Sequence, residues 1–111
     1  MDLRHLRYFL AVADARSVTR AAELLGIRQP PLSQQIQQLE REVGSPLFNR
    51  LPRGVALTQA GLRLVQDARA ILAQADRALD DARRAARGAR DHPHRLHLLR
   101  GLQFLRHAHD P

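Results

Sequence analysis

These 111 residues contain no cysteine, which excludes a disulfide framework and a thiolate zinc site. Lysine is absent as well. All 18 basic side chains are arginine, against 11 acidic ones, for a formal charge of +7 and a sequence pI near 11.6. A balance this basic favours a polyanionic partner over an acidic-surface or membrane-core role. No apolar run approaches the ~20 residues of a spanning helix. The opening M-D-L-R-H-L-R lacks the unbroken apolar stretch of a signal peptide, so a cytoplasmic protein with no membrane partner is expected. Catalytic signatures are missing too. There is no G-x-S-x-G, no Walker loop and no dinucleotide glycine fingerprint. Glu40 and Glu42 point to different faces of one helix, and Asp80 and Asp81 read as solvated charges, so no acid/base pair forms. Neither an enzyme nor a cofactor is expected.

What is present is organised around Ser17–Val43, which reads as two helices joined by a tight turn. The Ser17 hydroxyl can accept from a free amide of the first turn. Ala21, Leu24 and Leu25 give the short first helix an apolar side. Gly26 can take the left-handed backbone that ends it, and Ile27 returns to the core. Pro30 and Pro31 suit only the first turn of the next helix, where amides have no intrahelical acceptor. Leu32, Ile36, Leu39 and Val43 then form a stripe spaced for burial, and Gly44 stops the helix. Ser33, Gln34, Gln37, Gln38 and Arg41 fall on other faces. A second helix so rich in amides suits insertion into a major groove.

Upstream, Leu3, Leu6, Phe9, Leu10 and Ala13, widened by Tyr8 and Val12, place an apolar face on a helix over about 3–15. His5 reads as a partly exposed helical histidine. Downstream, Pro46-Leu47-Phe48 begins an extended segment ending at Arg50. Leu51-Pro52-Arg53-Gly54 is turn chemistry, and Val55-Ala56-Leu57 is a second strand. So small a hairpin is marginal alone and must lean on the helices through Leu47, Phe48 and Leu57. The expected fold over residues 1–58 is therefore mainly α, three helices with a short β-hairpin.

Thr58 caps a long helix expected over 59–90. Val65, Ala68, Leu72, Ala75, Leu79, Ala82, Ala86 and Ala89 are spaced three and four apart, as in a coiled-coil seam. The expectation is a homodimer held by this helix. The competing reading lays the alanine-lined face on the chain's own domain.

The motifs R-A-A-E-x-L, Q-P-P-L-S-x-Q-I-x-x-L-E-x-E-x-G, P-L-F-x-R and L-T-x-A-G run in order over about residues 2–90. In them the chain resembles the DNA-binding domain of LysR-type transcriptional regulators. The resemblance implies a winged helix-turn-helix over residues 1–58 whose second helix reads DNA, with double-stranded DNA at an operator or promoter as partner. It also implies a linker helix that pairs antiparallel with a second subunit, and assembly into a dimer or higher oligomer. It implies that Gln29, Pro30, Pro31, Ser33, Gln34 and Gln37 face bases, and that Ser17 and Thr19 lie at a helix start suited to phosphate. Arg50 and Arg53 would sit on a wing that reaches phosphates or the minor groove. Three positions depart from the family pattern. Arg28 replaces a small hydroxyl, losing a cap and adding a charge near the backbone. Gln34 stands where arginine is frequent and favours adenine over guanine. Leu51-Pro52 makes the wing tip stiffer and less basic.

Residues 91–111 change character. Five of the six histidines lie here, at His92, His94, His97, His107 and His109, and Pro93 blocks helix continuation. No carboxylate or cysteine completes a metal set at tight spacing. A poorly ordered tail is expected, arising from truncation, a natural short form or a reading-frame shift. It is too short to enclose an effector pocket, so no small-molecule effector is expected for this chain. The alternative function is a protein-interaction module that captures a full-length regulator in inactive heterodimers.

Overall fold

The computed structural model describes residues 1–88. Ala89 of the expected seam and the whole 91–111 tail lie outside them. Four helices and one hairpin follow in order: α1 (Leu3–Ala15), α2 (Val18–Leu25), α3 (Gln29–Val43), β1 (Phe48–Arg50), β2 (Val55–Leu57) and α4 (Gln59–Gly88). The architecture is the mainly helical winged helix-turn-helix that the family resemblance implied.

The chain forms two compact units, Met1–Gln74 and a second that begins at Ala75, whose described part is the remainder of α4 to Gly88. The first unit holds one core. Leu6, Phe9 and Val12 of α1 meet Ala21 and Ala22 of α2, Leu32, Ile36 and Leu39 of α3, Leu47, and Ala68 and Leu72 of α4. Burial of large apolar side chains at about 1.5–3 kcal/mol each drives this assembly.

Each helix start has a chemical reason. Asp2 caps α1, accepting from the His5 amide at 3.0 Å, while its own amide donates to His5 Nδ1 at 3.2 Å. His5 is thus half of a capping box, a role its sequence context did not suggest. Accepting that amide holds the Asp2 carboxyl below its usual value of 3.8. Ser17 Oγ accepts from Arg20 N at 3.1 Å, as expected of a cap. Arg28 precedes α3 without any side-chain cap bond.

Three apolar residues leave the expected stripes, of which Leu3, the first residue of α1, is 42% exposed. Leu24 is 66% exposed, because Ala21 and Ala22 supply the face of this eight-residue helix that packs inward. Val43 is 47% exposed, since the stripe of α3 has passed the edge of the core by its last residue.

The larger correction concerns the seam of α4. Ala68 is 0% and Leu72 9% exposed, both within the chain's own core, and Val65 is half-buried against it. These three were expected to face a second subunit. They are covered instead by their own domain, which was the competing reading, because the first half of α4 belongs to the N-terminal unit. Of the remaining seam residues, Ala75 is half-buried, while Leu79, Ala82 and Ala86 are exposed. Among the described residues no helix is long and apolar enough to cross a membrane.

Candidate nucleic-acid interface

The turn from α3 into the hairpin is built on backbone bonds. The Glu40 carbonyl accepts from Gly44 N (2.8 Å) and Ser45 N (3.2 Å), and its carboxylate accepts from Leu47 N at 2.7 Å and Phe48 N at 3.4 Å. Leu47 is fully buried, and Phe48 tilts against Phe9 with ring centroids 5.3 Å apart. On the far side, Thr58 N donates to Leu47 O (3.0 Å) and Thr58 Oγ1 donates to Pro46 O (2.8 Å). The same Oγ1 accepts from Gly61 N at 3.1 Å, capping α4. Any Cβ at Gly61 would stand 2.2 Å from Leu47 O. The L-T-x-A-G motif therefore encodes a cap and a close backbone approach, not a contact surface.

The hairpin pairs Phe48 with Leu57, Asn49 with Ala56 and Arg50 with Val55. Leu51 N closes the turn onto Gly54 O at 3.0 Å. The turn end of β2 is held by α1, because Val55 N donates to Arg16 O at 3.0 Å. Among the described residues Arg16 is the one non-glycine residue with left-handed backbone (φ 55°). A Cβ on Gly54 would meet its carbonyl at 2.2 Å. A wing this small is thus held at both ends by the helices, which answers its marginal intrinsic stability.

Between the start of α2, the side of α3 and the wing lies an open groove of about 520 Å³. Ser17, Thr19, Gln29, Ser33, Gln37 and Arg50 line it, so six of the expected contact residues converge. Gln29 Nε2 donates to Ser33 Oγ at 2.6 Å, which orders two neighbouring polar side chains one turn apart. Arg28, Pro30, Gln34 and Arg53 are exposed outside the groove, and Pro31 is half-buried outside it. Arg50 and Arg53 have no carboxylate partner among the described residues. The arrangement offers amides and hydroxyls on a helix flank, with cations beside them. Such a surface suits polar base edges and phosphates. Among the described residues no cluster of three or more His, Asp or Glu could hold a metal.

Two participants escaped sequence reasoning. Arg16 reads as an ordinary exposed arginine, and nothing in its neighbours announces a left-handed turn. Glu40 was weighed only against Glu42 as an acid/base pair. Its clue was position: a carboxylate near a helix C-terminus opposes the helix dipole, which invites a search for compensating donors.

Comparison with known proteins agrees with this geometry. Residues 3–62 match the family described as "Bacterial regulatory helix-turn-helix protein, lysR family". The HTH-type transcriptional regulator BudR of Klebsiella aerogenes is 64% identical over 88 residues, which is 79% of this chain and 62% of that protein. BudR of Raoultella terrigena is 62% identical over 88 residues, 79% of this chain and 30% of that protein. The chain thus spans under two thirds of the length of these relatives. Among solved structures, the CbnR DNA-binding domain in its DNA complex superposes with a TM-score of 0.75 at 45% identity, over 78% of this chain and 99% of that one. The BenM DNA-binding domain with catB site 1 DNA gives 0.74 at 46%, over 78% and 97%. With a family match over more than half its length, this chain belongs to the lysR family of bacterial regulatory helix-turn-helix proteins.

Proposed function

We propose that this chain is a sequence-specific DNA-binding transcriptional regulator that docks α3 in the major groove and its wing on the flanking backbone. The observation that carries the reading is the convergence of Ser17, Thr19, Gln29, Ser33, Gln37 and Arg50 on one open groove. The CbnR and BenM domains that resemble it were solved bound to DNA, which supports the same partner here. Pro30, Pro31, Gln34 and Gln37 are assigned to the base-facing side. Ser17, Thr19, Arg28, Arg50 and Arg53 are assigned to phosphates, and Gln29 and Ser33, joined by their hydrogen bond, to bases. Two copies would pair through Ala75, Leu79, Ala82 and Ala86, whose alanines allow close approach.

The two classes of contact separate in a competition assay on duplexes. Gln34→Ala and Ser33→Ala should relax sequence preference, at about 1–3 kcal/mol per lost base contact. Arg53→Ala should weaken all sequences alike and reduce the salt slope by about one. Identical behaviour of the two classes rejects the assignment. Binding without any site preference would favour the heterodimer-forming module instead.

A further inference from the structure

We propose that Glu40 is a positioning residue for DNA recognition, locking the wing at a set distance and angle from α3; the inference rests on the DNA-binding reading above. One side chain spans the two elements. Its carboxylate reaches back from the last turns of α3 to Leu47 N at 2.7 Å and Phe48 N at 3.4 Å, where the hairpin begins. The backbone of the same residue ends the helix, accepting from Gly44 and Ser45. Four amides of the crossing from α3 to β1, those of Gly44, Ser45, Leu47 and Phe48, therefore donate to this one residue.

Packing does not explain its presence. A carboxylate here opposes the dipole of α3 and is partly buried, two costs that only strong acceptor bonds offset. The compensation is specific to the crossing, since the buried Leu47 amide finds its acceptor there. Glu40 also lines the groove, about one helical turn beyond Gln37, as does Arg50. A negative charge facing a phosphate path is unfavourable unless it serves the shape of that path. Held by two amides, it fixes where Arg50 and Arg53 stand when α3 is seated.

The full chain tests this with Glu40→Ala, the pair Arg50→Ala/Arg53→Ala, and all three together, at a temperature where each is folded by circular dichroism. Glu40→Ala should weaken duplex binding about tenfold with the arginines present and less than about twofold once they are gone. Equal losses in both backgrounds would mean a contribution to folding alone and overturn the proposal. Glu40→Gln, which keeps one acceptor oxygen, should recover much of the loss; it carries the test if the alanine variant fails to fold. Amide exchange decides the matter independently of DNA. Glu40→Ala should exchange faster at Leu51 and Val55, whose acceptors are Gly54 and Arg16, and Glu40→Gln less so, while Ile36 and Leu39 in α3 stay protected. Unchanged protection of those wing amides overturns the positioning role. A wild-type chain that binds no duplex, together with faster wing exchange in Glu40→Ala, instead removes the DNA-binding reading.

Discussion

From Gln59 to Gln74, α4 commits its apolar side to the chain's own core: Gly61 admits the Leu47 carbonyl, and Ala68 and Leu72 are buried. From Ala75 to Gly88 the same three- and four-residue spacing runs on through Leu79, Ala82 and Ala86, and no residue there is buried. The contrast teaches what a heptad pattern means. It states that a stripe exists and runs straight along the helix. It does not state what covers the stripe. Coverage depends on which other elements lie alongside, and that changes partway along one helix.

The strongest way to break the contrast is to put a charge in each half. Leu72→Asp should destabilise the N-terminal unit by about 3–5 kcal/mol, because truncation leaves a cavity and the carboxylate loses its water. That is a large share of a small domain's stability. Leu79→Asp, at a site 56% exposed, should change the same urea midpoint by no more than about 0.5 kcal/mol. Its effect belongs in sedimentation, as weaker self-association. Comparable urea midpoints for the two variants would erase the difference between the halves.

Glycine sharpens it further. Gly61→Ala would drive a Cβ to 2.2 Å from Leu47 O and 2.9 Å from a Leu57 methyl, and backbone must shift to admit it. A cost of about 1–3 kcal/mol is expected by thermal melting. Gly88→Ala meets nothing within 4 Å and should be neutral or stabilise the helix by up to about 1 kcal/mol. A tolerated alanine at residue 61 would mean that the clasp between β1 and α4 is looser than its bond lengths indicate.

The smallest effect is a control that touches neither half. The Asp2 carboxyl is held below its ordinary value mainly by the amide of His5. A lowered carboxylate stabilises the fold above its unfolded pKa, and that contribution is lost as pH falls through the lower, folded value. Asp2→Ala should therefore reduce the melting temperature slightly near neutrality and flatten the acid limb below about pH 4. The two proteins should converge once the carboxyl is protonated. A difference that persists unchanged in strong acid would show that the capping charge is not its source.

Much was legible from local chemistry. Ser17, Gly26, the Pro30-Pro31 pair, Gly44 and Thr58 mark helix ends through bonds to residues at most a few positions away, so their spacing suffices. The strands fell where turn residues bounded short apolar runs. The groove was legible in part: its hydroxyls, amides and Arg50 carry polar chemistry on one helix flank, and the family resemblance ordered them.

Other features depend on partners distant in sequence. The Leu47 carbonyl decides that residue 61 must be glycine, and the Arg16 carbonyl, turned by a left-handed backbone, decides how the wing tip is held. The same is true of Ala68 and Leu72. Their spacing does not set them apart from Leu79 and Ala82, yet only the first pair is buried in the core of the N-terminal unit. By itself the sequence determined the helices, their ends, the hairpin and the polar flank, because each arises from neighbours along the chain. Only the tertiary structure decided which apolar stripe is core and which carboxylate joins helix to wing. Burial and hydrogen-bond pairing are properties of what stands opposite, and periodicity does not record that.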